Sequence, residues 1–246
     1  MSRFILVHGA WMGAWCWDRV AKELRESGHE VFTPELPGHG EDQTPLAAIS
    51  LAAYVDTVGA VLKPGVGRSV IVGHSMAGVV ISELAEQMPD KISALVYVAA
   101  YLLKSGESIT AASQSATDSL VGPNMVPAPD WSTISINPEG LKDVFAADAS
   151  DADVARIHRF ARPEPSAPFN ETVAVTPERF GQVRKYYITT AQDRAVTPML
   201  QNKMLDATPC EQVFAMSTSH TPFFAAPKEL AEKLARIAII AEGSAQ

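Results

Sequence analysis

Val70-Ile-Val-Gly-His-Ser-Met-Ala-Gly-Val-Val-Ile-Ser82 is the stretch that decides the fold. Three β-branched residues, Val70, Ile71 and Val72, read as a buried strand. Gly73 interrupts the run, Ser75 follows at a turn, and from Ala77 apolar residues recur at helical spacing through Val80, Ile81, Leu84, Ala85 and Met88. A strand, a sharp turn bearing one serine and a helix are the sequence form of a nucleophile elbow, which lifts a Ser Oγ above the carboxyl edge of a parallel sheet. Strand and helix cross closely around such a turn, so the neighbours must be small, and Gly73, Ala77 and Gly78 are. Ala77 stands where the motif usually has its second glycine, adding the least a side chain can add. A plain βα turn that happens to hold a serine would look the same locally, so the rest of the chain has to decide.

On both sides of the elbow, strands alternate with helices. Phe4 to Val7 predicts a first strand, followed by a glycine-rich loop from His8 to Trp17 in which Trp15 and Trp17 are expected to pack under the loop and pin it. A helix from Asp18 to Ser27 is ended by Gly28, and a strand runs from Glu30 to Pro34. Ser50 caps a helix to Leu62, stopped by Pro64-Gly65. Ile92 to Val98 is the strand after the elbow helix. Further on come a strand from Arg184 to Thr190, a helix from Thr197 to Ala207, a strand from Glu211 to Met216 and a last helix from Pro227 to Ile240. This alternation implies an α/β fold with a mostly parallel, doubly wound sheet. Between Tyr101 and Gln182 the rhythm stops: there are Ser/Thr/Ala stretches, scattered prolines and one helix from Ser150 to Ala161. A structureless loop of that length does not fit a compact domain. Residues 101–182 are therefore expected to form an inserted helical lid on a core made of residues 1–100 and 183–246, and to hold the substrate specificity.

Composition narrows the function. The 246 residues are 47% hydrophobic and 20% charged, enough for a sizeable core. A net charge of −8 repels nucleic-acid phosphates, so no nucleic-acid partner is expected. No apolar run reaches the length of a membrane span, and with only Met-Ser-Arg ahead of Phe4 no signal peptide is expected. Two cysteines, Cys16 and Cys210, fit a reducing compartment, and a cytoplasmic location is the expectation. The histidines lack metal-ligand spacing, and Gly73-x-x-x-x-Gly78 is not followed by Lys-Ser/Thr, so no metal and no cofactor are expected. A homodimer is left open.

A serine hydroxyl is a poor nucleophile at neutral pH and needs a base, which a third group must orient. On an elbow of this kind the order along the chain is Ser, then Asp or Glu, then His, each on a loop after a strand. Of six histidines, His8 and His39 lie in glycine-bracketed loops ahead of the serine and read as structural. His74 precedes Ser75 and points elsewhere, while His29 and His158 read as surface residues. His220, beyond the last strand and before the last helix, fits the base. Asp193 is the only carboxylate in the loop after the strand ending at Thr190 and fits the acid, whereas Glu107 lies too far beyond the strand ending near Ala99. An oxyanion hole needs two backbone N–H groups. Met76, directly after the serine, offers one, and Ala10, just past the His8-Gly9 bend, offers the other. With no Arg or Lys in either loop, near-neutral, fairly apolar esters are favoured, although Arg156, Arg159 and Arg162 of the lid are within the region that would wall the pocket. Trp11, Tyr101, Thr221 and Phe223 are the expected pocket residues.

Val7-His-Gly-Ala-Trp with Gly13-Ala-Trp-Cys-Trp17, Gly73-His-Ser-Met, Pro177-Glu-Arg-Phe-Gly-Gln-Val183 and Gln192-Asp-Arg-Ala-Val196 together resemble the plant methylesterase and hydroxynitrile lyase branch of the α/β hydrolases and its bacterial esterase relatives. The resemblance runs from Phe4 to Leu230 and is weakest from Gln114 to Ile136. It implies a Ser75–Asp193–His220 triad, oxyanion donors Ala10 and Met76, and a helical cap over a narrow apolar pocket to which Trp131 contributes. The lyases carry a threonine in the oxyanion loop and a lysine directly after the catalytic histidine. Gly9 and Thr221 stand there instead, so the lyase equipment is absent. Methylesterases typically have methionine after that histidine, and Thr221 departs from this too while leaving the reaction class intact. A carboxylic ester hydrolase acting on a small-molecule ester is the leading expectation. A lyase on the same triad and a low-turnover small-molecule receptor are the alternatives.

Overall fold

Strands covered on both faces carry apolar residues at successive positions, and the middle of this sheet does so. The structure is a computed structural model that describes residues 1–62 and 67–243. The first part of the chain runs β1 (Arg3–Val7), α1 (Asp18–Glu26), β2 (Glu30–Phe32), α2 (Leu51–Gly59), β3 (Ser69–His74), α3 (Ala77–Gln87) and β4 (Ile92–Val98). Ser50 caps α2 by accepting the Ala53 N–H at 3.1 Å. The Pro64-Gly65 stop lies outside the described residues.

The segment that follows contains α4 (Ile109–Ser113), α5 (Val121–Asn124), β5 (Met125–Pro127), β6 (Thr133–Ile136), α6 (Leu141–Phe145), α7 (Asp151–Phe160), β7 (Glu164–Pro165) and α8 (Ala167–Asn170). β5, β6 and β7 make a small antiparallel sheet that the sequence reading did not anticipate. Its strands are two to four residues long and two of them end in proline, too short for a period-two pattern to register. The helix over Asp151–Phe160 falls where it was expected, with Ser150 as its cap.

The chain then returns to the core through β8 (Lys185–Thr190), α9 (Pro198–Ala207), β9 (Gln212–Met216), α10 (Pro222–Ala225) and α11 (Pro227–Gly243). The six core strands lie in the order β2-β1-β3-β4-β8-β9, every neighbouring pair parallel. α1 packs on α11, and α2 packs on α3. In such a sheet the loops at the carboxyl ends of the strands gather in one crevice. Here these are the loops after β1, β3, β8 and β9. Among the described residues no helix is long and apolar enough to cross a membrane.

Candidate active site

The turn between β3 and α3 leaves two residues, Ser75 and Met76, to reverse the chain. Ser75 takes φ = 53°, a left-handed conformation that costs a non-glycine residue about 1–3 kcal/mol unless its surroundings enforce it. They do: Ser75 N–H donates to Val98 O at 3.2 Å, and Ser75 O accepts from Gly78 N at 3.1 Å and Tyr101 N at 3.0 Å. The close approach behind the turn is what demands glycine at 78, since a Cβ there would lie 2.3 Å from the Tyr101 carbonyl oxygen. The loop after β1 presses on the same turn, and a Cβ on Gly9 would lie 2.9 Å from Ser75 Cβ.

Asp193 and His220 meet from the loops after β8 and β9. His220 Nδ1 is 2.8 Å from Asp193 Oδ2, with both side chains buried. The carboxylate is fixed by four further donors. Thr190 Oγ1 donates to Oδ2 at 2.8 Å and Gln201 Nε2 reaches it at 3.4 Å. Ala195 N and Val196 N donate to Oδ1 at 2.8 and 3.0 Å. Since a carboxylate accepts, His220 Nδ1 carries the proton, and its Nε2 is left as the basic nitrogen. Behind it, His74 Nε2–H donates to the His220 carbonyl at 2.8 Å, and the two rings lie 4.5 Å apart. Burial pushes the His74 pKa well down, assisted by the nearby His220, so His74 is a neutral support beside the pair. Among the described residues Ser75 Oγ makes no hydrogen bond, to His220 or otherwise.

Ser75 lines a cavity of about 500 Å³ together with Ala10, Met76, Trp11, Tyr101 and Trp131. Among the described residues neither the Ala10 nor the Met76 amide makes a hydrogen bond, and both residues line the cavity with Ser75. The remaining wall comes from Ile109, Ile134, Phe145, Phe169 and a set of neutral polar residues, with no charged side chain among those described. Arg156 is bound to Asp18 and the Trp15 carbonyl, Arg159 lies over Phe160, and Arg162 Nε donates to Gly40 O. None of the three arginines reaches the cavity.

Two expected pocket residues are corrected. Thr221 is fully buried, with its hydroxyl donating to Phe145 O at 2.8 Å, and Phe223 is fully buried against Trp17 and His74. The Thr221-Pro222 turn starts α10, which tucks this segment behind His220 and away from the cavity. Trp15 stacks on Phe224 and Trp17 packs on Phe223, beneath the loop after β1.

The residues that sequence reasoning missed lie between β4 and β8. Asp148 accepts the Ser219 N–H at 2.8 Å and is also bound by the Ser219 hydroxyl. The Phe145 carbonyl takes both the Ser219 and Thr221 hydroxyls, so His220 is held on either side. Glu164, fully buried, accepts the Trp11 N–H at 2.9 Å. A glutamate flanked by Pro163 and Pro165 signals an extended segment, but nothing in the sequence pairs it with Trp11.

The chain resembles known proteins along nearly its whole length. The model of the alpha/beta hydrolase family matches residues 4–233. The chain is 32% identical to "Putative methylesterase 14, chloroplastic" of Arabidopsis thaliana, over 98% of this chain and 73% of that protein. It is 34% identical to "Putative methylesterase 11, chloroplastic" of the same plant, over 97% of this chain and 64% of that one. It thus spans about two thirds to three quarters of the length of these two relatives. The crystal structure of a pyrethroid hydrolase from Sphingobium faniae superposes with a TM-score of 0.85 at 26% identity, covering 96% of this chain and 97% of that one.

Proposed function

The chain belongs to the alpha/beta hydrolase family, in its plant methylesterase-like branch, and we propose that it is a carboxylic ester hydrolase whose nucleophile is Ser75. One observation carries the assignment: a serine held at φ = 53° opens onto an uncharged cavity whose wall includes Ala195 and Val196, and their N–H groups hold the carboxylate of a buried His–Asp pair joined at 2.8 Å. His220 Nε2 takes the Ser75 proton as Oγ attacks the ester carbonyl, and Asp193 stabilises the resulting imidazolium. The Ala10 and Met76 N–H groups receive the oxyanion of the tetrahedral intermediate. His220 then hands its proton to the departing alkoxide. Water attacks the acyl-enzyme by the same route and frees the acid. A Ser75–His220 hydrogen bond is expected to form as substrate binds, since catalytic contacts are often completed only in the substrate complex.

The uncharged wall favours neutral, fairly apolar esters, since an anionic substrate would lose its hydration and find no cation in return. The names of the methylesterases and of the pyrethroid hydrolase fit the same class. Residues 101–182 act as the cap that shapes this pocket. The lyase alternative loses support from Thr221, whose hydroxyl is already committed to Phe145 O and which brings no charge for a cyanide leaving group.

Hydrolysis of short-chain p-nitrophenyl esters by wild type and Ser75→Ala tests the assignment, with mandelonitrile cleavage run in parallel. Ester turnover is expected, and Ser75→Ala is expected to lower it by more than about 1,000-fold. Undiminished turnover in Ser75→Ala removes the serine mechanism, and mandelonitrile cleavage without ester cleavage establishes the lyase.

A further inference from the structure

Glu164 is a carboxylate with no exposed surface, in a strand outside the core sheet, and its bonds lead to the loop that offers Ala10. Oε2 accepts the Trp11 N–H at 2.9 Å and lies 2.8 Å from His39 Nε2, while Oε1 accepts the Tyr54 hydroxyl at 3.2 Å. His39 Nδ1 is 3.0 Å from the Pro37 carbonyl, which can only accept. Both ring nitrogens therefore donate, and His39 is the imidazolium counter-charge of Glu164. A buried ion pair is weak evidence for stability, because desolvating both charges offsets their attraction. A pair retained at zero exposure against this loop calls for another role.

The loop supplies one. Trp11 sits at φ = 59°, a left-handed conformation unfavourable for a bulky residue. Its three polar groups are all held from the same segment: N–H by Glu164, indole Nε1 by Ile134 O at 2.7 Å, and C=O by Arg162 N at 3.1 Å. The Trp11 N–H belongs to the Ala10–Trp11 peptide. Fixing it fixes the peptide plane directly after Ala10 and so restricts the Ala10 φ and ψ that aim the N–H of the preceding peptide, at a residue that lines the cavity with Ser75. Were the Trp11 amide released, the strained φ would relax and the Ala10 amide would turn with it.

We propose that Glu164 is a positioning residue for ester hydrolysis, aiming the Ala10 N–H at the oxyanion by holding the Trp11 amide, with His39 and Tyr54 locking the carboxylate in place. The inference rests on Ala10 and Ser75 having the roles assigned above. It does not require the charge of Glu164 at the site, only an acceptor at the Oε2 position. Glu164→Gln retains that acceptor: its amide oxygen serves Trp11 and His39, and its NH2 faces the Tyr54 oxygen. Glu164→Asp keeps the charge but withdraws the acceptor by one methylene.

The test uses the full chain with a p-nitrophenyl ester and two inhibitors of one shape. One is a trifluoromethyl ketone that adds to Ser75 Oγ and places an oxyanion in the hole, and the other is the plain ketone, which does not add. Glu164→Asp is expected to lower kcat by about 10- to 100-fold with KM within about threefold, the cost of a misaimed oxyanion donor. Its affinity for the trifluoromethyl ketone falls in parallel, while that for the plain ketone holds. Glu164→Gln is expected to recover most of kcat. Loss of kcat in Glu164→Gln equal to that in Glu164→Asp overturns the inference, as does an effect of Glu164→Asp confined to KM or to thermal stability. Should Glu164→Asp not fold, the kcat of Glu164→Gln still decides, because an inactive, folded Glu164→Gln leaves no aiming role. Ser75→Ala separates the two levels. If it retains turnover, the serine mechanism falls and takes this inference with it; if it is inactive while Glu164→Asp keeps wild-type kcat, only the Glu164 role falls.

Discussion

Asp193 carries a consequence that depends on which of its oxygens meets which donor. Oδ1 accepts two backbone N–H groups, from Ala195 and Val196, and Oδ2 faces His220 Nδ1 and the Thr190 hydroxyl. In Asp193→Asn the two backbone donors hold the amide oxygen at Oδ1, so the NH2 is forced toward His220. It donates to Nδ1, the proton moves to Nε2, and the nitrogen needed as base is no longer free. Steady-state kinetics should show kcat reduced by about 10,000-fold in Asp193→Asn, with the fold intact by circular dichroism. A reduction below tenfold would mean that Asp193 does not set the tautomer. Ser75, Asp193 and His220 could be proposed from the sequence because chain order and the loops after successive strands admit few candidates. Glu164 and Asp148 were not, since their partners Trp11 and Ser219 lie 153 and 71 residues away and no local pattern encodes the pairing.

At the scale of elements, the elbow depends on how closely α3 approaches the chain after β4. A methyl on Gly78 would meet the Tyr101 backbone oxygen at 2.3 Å, and backbone on both sides leaves no flexible side chain to give way. Gly78→Ala is expected to cost about 1–3 kcal/mol, read as a lowered urea midpoint with unchanged slope, and to lower kcat because Tyr101 N also holds the Ser75 carbonyl. Wild-type stability in this variant would show that the turn can open. The core strands were legible as continuous apolar, β-branched runs and the helices by their period of 3.6, over five or more residues in most of them. The small sheet of β5, β6 and β7 was not, since it rests on pairings between strands of two to four residues.

For the whole molecule, three buried histidines set how stability varies with pH. Burial lowers the pKa of His8 and, more strongly, that of His74, while both have an ordinary value of 6.5 when unfolded. Below about pH 6.5 the unfolded chain binds protons that the folded chain refuses, so their contribution is lost as pH falls. His39 behaves oppositely. Burial alone would lower its pKa, but the charge and hydrogen bond of Glu164 outweigh this and raise it above 6.5. Its contribution is fully present below pH 6.5 and is lost as pH rises through the raised folded value. The melting temperature is therefore expected to peak just above pH 6.5 and to fall on both sides. A melting temperature that is flat from pH 5.5 to 9 would contradict this. Charge, hydropathy and motif order gave the class of fold and the reaction, but the sign of this curve depends on which histidines are enclosed with which partners, and that is a property of the assembled chain.

The bonds from Ile134, Phe145, Asp148, Arg162 and Glu164 to Trp11, Ser219 and Thr221 also bear on how such an enzyme diverges or is redesigned. Grafting residues 101–182 from a distant relative would bring a new binding wall but discard the anchors of both loops that carry the reacting groups. A chimera joined after β4 and before β8 would inherit the donor's selectivity only if Trp11, His39, Ser219 and Thr221 were transplanted with it. On the proposed mechanism, recognition and turnover would be exchanged together or not at all.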